Sequence, residues 1–365
     1  MRVLVVNAGS SSLKLSVLNA DDSLADHAEL PMGQGGQFGH DAVADALDRV
    51  GAKTADAAGH RVVHGGQQFS GPVRIDAAVR QALGDLTALA PLHQPIALAG
   101  IDAVSKVAPE LPEVACFDTA FHAGMPAAAS TYALPAEWRE RWQIRRYGFH
   151  GLSHAYAARR VSELLGHVPA RLVVCHLGAG ASLAAIRDGR SVDTTMGFTP
   201  LEGLVMATRS GTVDPGLVLW LTEQAKIPPD ELGDALEHRS GMTGLAGTAD
   251  MREVQARDAQ GDSAAGLALT VYLHRLRGLI ASMAAALGGL DTLVFTAGVG
   301  ENDADIRAGA ADGLGFLGVA VDKGRNAEAR GDTDITAPGA AVQSFVVAAR
   351  EDIEIARQVR EVLGR

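Results

Sequence analysis

The sequence predicts an α/β protein made of two related domains. Apolar strands alternate with helical stretches along the chain. A strand–turn–strand unit occurs twice, about half a chain apart, as MRVLVVNAGSSSLKLSVL at 1–18 and RLVVCHLGAGASLAAI at 171–186. At 365 residues the chain is also long for a single core. In the first unit the runs 3–6 and 13–18 are short, aliphatic and β-branched, which reads as a hairpin. Its turn, Asn7-Ala8-Gly9-Ser10-Ser11-Ser12, exceeds the two residues that a simple reversal needs. Small side chains and the nearby Lys14 would let an anion approach, so a phosphate-binding hairpin stands against an ordinary serine-rich turn.

The remaining elements follow in order. The region to about residue 51 is polar and glycine-rich, with a helix at 41–50. A strand at 57–63 ends in Arg61-Val-Val-His-Gly-Gly, and helices follow at 76–90 and 95–107. The strand at 113–117 runs directly into Asp118. The pattern weakens over 126–143, which suggests a domain junction, and a helix then ends near Gly166. After the second hairpin come helices at 215–224 and 263–287, a strand at 291–296, a strand at 342–347 and a closing helix at 351–363.

Composition limits the function. Hydrophobic residues make up 47% and charged ones 21%, as in a soluble globular protein, and the net charge of -11 argues against nucleic acid as a partner. The apolar run at 3–6 is too short for a secretory segment, and 267–290 carries His274, Arg275 and Arg277, so it reads as a core helix, not a membrane span. Cys116 and Cys175 each end an apolar run without a CxxC pair and read as buried strand thiols in a reducing cytoplasm.

The familiar nucleotide fingerprints are absent. No lysine follows a glycine, which excludes the P-loop, and Gly178-Ala-Gly180 and Gly298-Val-Gly300 both lack the third glycine of a dinucleotide turn. No GxSxG elbow occurs. A nucleotide would have to be held by the paired hairpins instead. Asn7, Asp118, His176 and Gly298 all stand at carboxyl ends of strands, where α/β sheets bind ligands. His150 and His154 are four apart, but Gly151 marks a helix start and no glutamate lies between them, which argues against zinc. Arg61 and Arg209 sit among small residues after strands, as suits bidentate recognition of carboxylate or phosphate.

Together these segments resemble the acetate kinases of the acetokinase family, within the sugar-kinase and actin-like ATPase superfamily. The resemblance rests on NAGSSSLK (7–14), HRVVHGG (60–66), APLHQP (90–95), FDTAFH (117–122), RRYGFHGLSH (145–154), MGFTPLEG (196–203), TRSGTVDP (208–215) and FTAGVGEN (295–302). It implies two duplicated ribonuclease H-like domains, 1–122 with 353–365 and 123–352, with an interdomain active-site cleft whose closure excludes water. It also implies a cytoplasmic homodimer that converts ATP and acetate into ADP and acetyl phosphate with Mg2+, or Mn2+ in its place, and that takes neither nucleic acid nor membrane as a partner. By the same resemblance Lys14, the turn His176, Leu177, Gly178, Ala179 and Gly180, the segment Asp250, Met251 and Arg252, and the segment Gly298, Val299, Gly300, Glu301 and Asn302 would bind nucleotide. Asn7 and Glu351 would hold the metal, and Arg61 the carboxylate. Val63, Leu92, Phe149 and Pro200 would surround the methyl group, while His150 and Arg209 would stabilise the moving phosphoryl group. Asp118 is the family's acid–base residue. A carboxylate is already ionised at neutral pH, however, so Asp118 is expected to orient Arg61 or a metal-bound water.

Two positions depart from the family pattern. Where the family reads HLGNG this chain has Ala179, and a lost amide donor predicts weaker nucleotide binding. At the C-terminus Arg350 precedes Glu351 and could compete for its charge. Propionate kinase is the alternative within the family; a non-catalytic ATP-binding protein of the same fold and a metallohydrolase built on the histidines are the alternatives outside it.

Overall fold

A computed structural model describes residues 1–8, 12–31, 40–91 and 93–364, the side chains of 40 and 41 excepted. The tip of the first hairpin at 9–11 and Leu92 therefore lie outside the described residues. The chain divides into two compact units. Unit 1 comprises Met1–Ala123, Phe149–Tyr156 and Arg350–Arg365; unit 2 comprises Gly124–Gly148 and Ala157–Ala349.

Unit 1 is built on β1 (Val3–Ala8), β2 (Ser12–Leu18), β3 (Leu24–Pro31), β4 (Ala57–Val62), β5 (Val73–Arg74) and β6 (Glu113–Phe117), in the order β3-β2-β1-β4-β6-β5. β1 runs parallel to β4 and β4 to β6, while the other pairings are antiparallel. Side chains alternate across a strand, so the nearly unbroken apolar run of β1 feeds two cores. Val3 and Val5 pack with Ile355, Ala356 and Val359 of the helix Glu351–Leu363. Leu4 and Val6 pack on the opposite face with Val43, Leu47 and Val104. That closing helix lies so near β4 that a Cβ at Gly59 would collide with Ile355 and Val359.

Unit 2 repeats the plan. Its strands are β7 (Arg171–Leu177), β8 (Ala181–Arg187), β9 (Arg190–Thr194), β10 (Thr292–Thr296), β11 (Thr333–Asp334) and β12 (Gln343–Val346). Read from its other end, the sheet order is β9-β8-β7-β10-β12-β11, with parallel and antiparallel pairings at the same places as in unit 1. The duplication expected from the two hairpins is thus present, in two mixed six-stranded sheets. Both cysteines are buried in strands and free.

The third strand of each sheet escaped the sequence reading. β3 is an edge strand exposed along most of its length, so it lacks an apolar stripe. β9 does carry a signal, the pair Asp188-Gly189 with φ of 48° and 78°, a hairpin turn with both central residues left-handed. The helix expected at 76–90 forms over Ala77–Asp85, capped by Asp76 on the Val79 amide, and continues as a 3-10 turn at Leu86–Leu89. The helices Pro229–His238, Met251–Ala259 and Ala304–Asp312 were also unread.

Candidate active site

In unit 1 the parallel strands β1, β4 and β6 bring three polar residues to one end of the sheet. Arg61 Nε donates to Asp118 Oδ1 and Oδ2 at 3.1 and 3.2 Å, and its Nη2 donates to Oδ2 at 2.7 Å. The remaining arm, Nη1, reaches Asn7 Oδ1 at 3.2 Å. Asn7 Nδ2 in turn donates to Glu351 Oε2 at 3.1 Å, and that oxygen lies 3.9 Å from Arg61 Nε. Asp118 is only 1% exposed. Burial pushes its carboxyl up, Arg61 opposes the rise and Glu351 adds to it. For Arg61, burial works against the charge, but Asp118 and then Glu351 outweigh it and hold the guanidinium above its ordinary value. Both Asp118 oxygens accept from a guanidinium that does not deprotonate, so the pair is ionic despite its burial. Arg350 directs its fork to Asp352, at 3.0 and 3.1 Å, and so has its own counter-ion beside Glu351.

The segment around His150 is fixed to the same strand end. Gly151 N donates to the Asp118 carbonyl at 2.9 Å, and a Cβ at Gly151 would strike that carbonyl. His150 has φ of 56°, an uncommon conformation for a residue other than glycine. On its other side Phe149 is buried; its carbonyl lies 3.1 Å from His122 Nε2, and its ring meets His64 edge-on at 5.6 Å. Burial lowers His64 to about 4. Its Nδ1 accepts from Gly66 N at 2.9 Å, which fixes the neutral tautomer with the proton on Nε2. Burial likewise lowers His122 to about 4, against an opposing effect of the Phe149 carbonyl. Val63 is buried next to His64. His154 is fully buried and packs edge-on against His122 at 5.6 Å, as a core histidine does.

Unit 2 carries a cavity of about 820 Å³. Of the residues expected to bind nucleotide, Gly178, Ala179, Asp250, Met251, Arg252, Gly298, Val299 and Asn302 line it. His176 and Leu177 belong to β7, Gly180 to the turn after it, and Gly300 and Glu301 to the helix Ala297–Asn302, outside the lining. Lys14 lies in unit 1 on β2, 4.0 Å from Glu29. Sequence reasoning missed Met206, Ala207, Met242, Gln255, Tyr272 and Asp303. They come from unconnected segments, so no local pattern marks them. The Ala179 carbonyl accepts from Ala207 N at 3.1 Å, which ties the second hairpin to the loop before Arg209. Asp250 caps the helix Met251–Ala259 and pairs with Arg252, whose hydrogen bonds lower it to about 2.

Arg209 contrasts with Arg61. Its Nη1 makes two long contacts, 3.4 Å to the Pro200 carbonyl and 3.9 Å to Met206 Sδ, and among the described residues it forms no ion pair. Burial pulls its guanidinium below the ordinary value, against a weaker effect of Glu237. A half-buried guanidinium with open donors is suited to an anion.

The model of the acetokinase family matches residues 33–357. The chain belongs to the acetokinase family. The activity of an acetokinase is acetate kinase, a phosphotransferase with a carboxyl group as acceptor, and the family's co-substrate is ATP. The acetate kinase of Leifsonia xyli is 45% identical over 392 residues, covering 99% of each chain, and that of Nostoc punctiforme 41% over 406 residues, covering all of both. Among solved structures, the acetate kinase of Porphyromonas gingivalis superposes with a TM-score of 0.91 at 35% identity, covering 99% of each chain. A propionate kinase of Francisella tularensis does so with 0.91 at 36%, covering 98% of each. The fold of this chain is accordingly that of the acetate kinase structures, an α/β fold with two mixed six-stranded sheets.

Proposed function

We propose that this chain transfers the γ-phosphoryl group of ATP reversibly to acetate, giving ADP and acetyl phosphate, with Mg2+ or Mn2+ as the metal. Unit 1 is the acceptor domain and unit 2 the nucleotide domain. The observation that carries the reading is the four-membered cluster of Asn7, Arg61, Asp118 and Glu351 at one sheet end. The amide oxygen of Asn7 and the carboxylate of Glu351 are hard donors that suit magnesium. Magnesium keeps several waters and takes few protein ligands, so two such donors would serve it. When bound, magnesium neutralises charge on the phosphate oxygens.

The residues divide the remaining work. Arg61 binds the acceptor carboxylate, with Val63 and Phe149 of the same unit serving the methyl group. Phosphoryl transfer passes through a loose transition state with charge on the equatorial oxygens, so Arg209 and His150 stabilise it electrostatically. Asp118 holds the Arg61 fork in one orientation and moves no proton, since the acceptor is already an anion. For Asp118→Asn the expected result is loss of acetate or metal affinity. A changed proton inventory with both affinities intact would show that Asp118 is an acid–base catalyst instead. Lys14 and the glycine-rich segments of the cavity serve the nucleotide phosphates.

The protein acts as a cytoplasmic homodimer. In support, the helix Pro215–Glu223 is apolar on all sides yet none of its residues is buried, with Leu219 and Trp220 more than half exposed. No helix among the described residues is long and apolar enough to cross a membrane. Propionate as acceptor is a second reading, favoured by the likeness to the Francisella enzyme. Trapping acyl phosphate with hydroxylamine from acetate, propionate and butyrate in turn tests both. Acetate should give the highest kcat/KM, and no acyl phosphate from any acid would refute the kinase reading.

A further inference from the structure

Arg307, on the helix Ala304–Asp312, is one of the largest fully buried side chains, at 1% exposure. Every hydrogen-bond acceptor it meets is neutral. Nε donates to Asn326 Oδ1 at 2.7 Å and Nη2 to the Asn326 carbonyl at 2.6 Å. Nη1 donates to the carbonyls of Gly300 and Glu301 at 3.0 and 2.9 Å. Asn326 is itself buried and passes its Nδ2 to the Ala304 carbonyl at 2.8 Å. A buried charge whose hydrogen bonds all go to neutral groups, helped only through space by Asp303 and opposed by Arg330, is a poor way to gain stability alone, because desolvation is only partly repaid. The arrangement is better explained by what the acceptors belong to.

Gly300 and Glu301 lie in the second half of the helix Ala297–Asn302, and Gly298, Val299 and Asn302 of that helix line the unit 2 cavity, as does Ala304 just beyond it. A six-residue helix has too few internal bonds to hold itself. This one also begins on Ala297 with φ of 66°, a left-handed conformation that alanine adopts at a cost. Its own side chains add two ties, Asn302 Nδ2 to the Gly298 carbonyl at 2.9 Å and Glu301 Oε1 accepting from Ala349 N at 2.9 Å, and neither reaches the Gly300 carbonyl. The planar fork of Arg307 gathers the carbonyls on the far side, and Asn326 extends the hold to Ala304.

We propose that Arg307, seated on Asn326, is a positioning residue that fixes the 298–304 wall of the nucleotide cavity and thereby sets nucleotide affinity. The inference rests on reading that cavity as the nucleotide site. Lysine keeps the charge of Arg307 but offers its donors from a single atom, so it cannot serve Asn326 and two carbonyls at once. In Arg307→Lys the Kd for ADP should rise at least tenfold, with KM for ATP following it. KM for the carboxylic acid should stay within twofold, and kcat at saturating nucleotide within threefold. A purely structural role would lower the melting temperature without this split. A folded Arg307→Lys enzyme with wild-type Kd for ADP overturns the proposal. If that variant does not fold, Asn326→Ala is used; it should raise the Kd severalfold, and an unchanged value there is equally decisive against the brace. Ala249→Trp, at an exposed position on the cavity rim, separates the two readings. If it abolishes ADP binding, the cavity is the nucleotide site and the Arg307 result judges the brace alone. Wild-type ADP binding in Ala249→Trp would remove the cavity reading and the proposal with it.

Discussion

The two sheets share one topology, but the ends of their parallel strands carry opposite chemistry. In unit 1, β1, β4 and β6 lead into Asn7, Arg61 and Asp118, and these lock onto one another and onto Glu351. In unit 2, the corresponding strands β7, β10 and β12 lead into His176, Thr296 and Val347, and an open cavity walled largely by small and apolar residues lies in that unit. The first arrangement suits a small anion, for which a few fixed charges must be held in place. The second suits a large ligand met mainly by backbone and surface shape. One scaffold thus occurs twice, with different residues at its strand ends.

The sharpest way to break this comparison is to remove each arginine in turn. Arg209→Gln should lower kcat by about 10²–10³ while stability stays within about 0.5 kcal/mol, because a poorly paired buried charge is being removed. Arg61→Gln should do both kinds of damage. Asp118 would be left buried without its guanidinium, at a cost of about 3–5 kcal/mol, and KM for the acid should rise steeply. Steady-state kinetics beside denaturant titrations would separate the two. Equal stability losses would end the distinction between a locked and an open arginine.

Acid should also reveal the locked unit. The folded values of His64 and His122, about 4, lie below the roughly 6.5 of an unfolded histidine, so the unfolded chain takes up protons first. Their contribution is complete above about pH 6.5 and is lost as pH falls toward 4, on the order of 3 kcal/mol for each. Urea midpoints measured from pH 7.5 to 4.5 should fall accordingly, and His122→Gln should flatten the fall; an identical slope would exclude His122 as its source. The smallest expected effect lies in the open unit. Ala179→Asn restores an amide donor on the cavity wall and should tighten ADP binding by about tenfold, the value of one hydrogen bond to a charged group. An unchanged Kd in calorimetry would mean that the cavity already meets the phosphates without that amide.

Much of this was legible in the chain because the deciding signals are local. The paired hairpins announced the duplicated sheets, and the small-residue turns at strand ends located Asn7, Arg61, Asp118 and the glycines of the cavity. β3 was not legible, because an exposed edge strand needs no apolar stripe, and Tyr272 and Gln255 were not, because each stands on a helix whose pattern serves the core. What the sequence determined by itself is the set of residue types at the strand ends, since periodicity and turn chemistry act over a few neighbouring residues. Only the tertiary structure decided the pairings: that Arg61 is bound by Asp118, that Arg350 turns to Asp352, and that Arg307 braces a wall from behind. Arg61 and Asp118 lie 57 positions apart and are joined by parallel strand register, whereas Arg307 reaches its carbonyls through buried hydrogen bonds and Arg350 reaches Asp352 across the start of the closing helix.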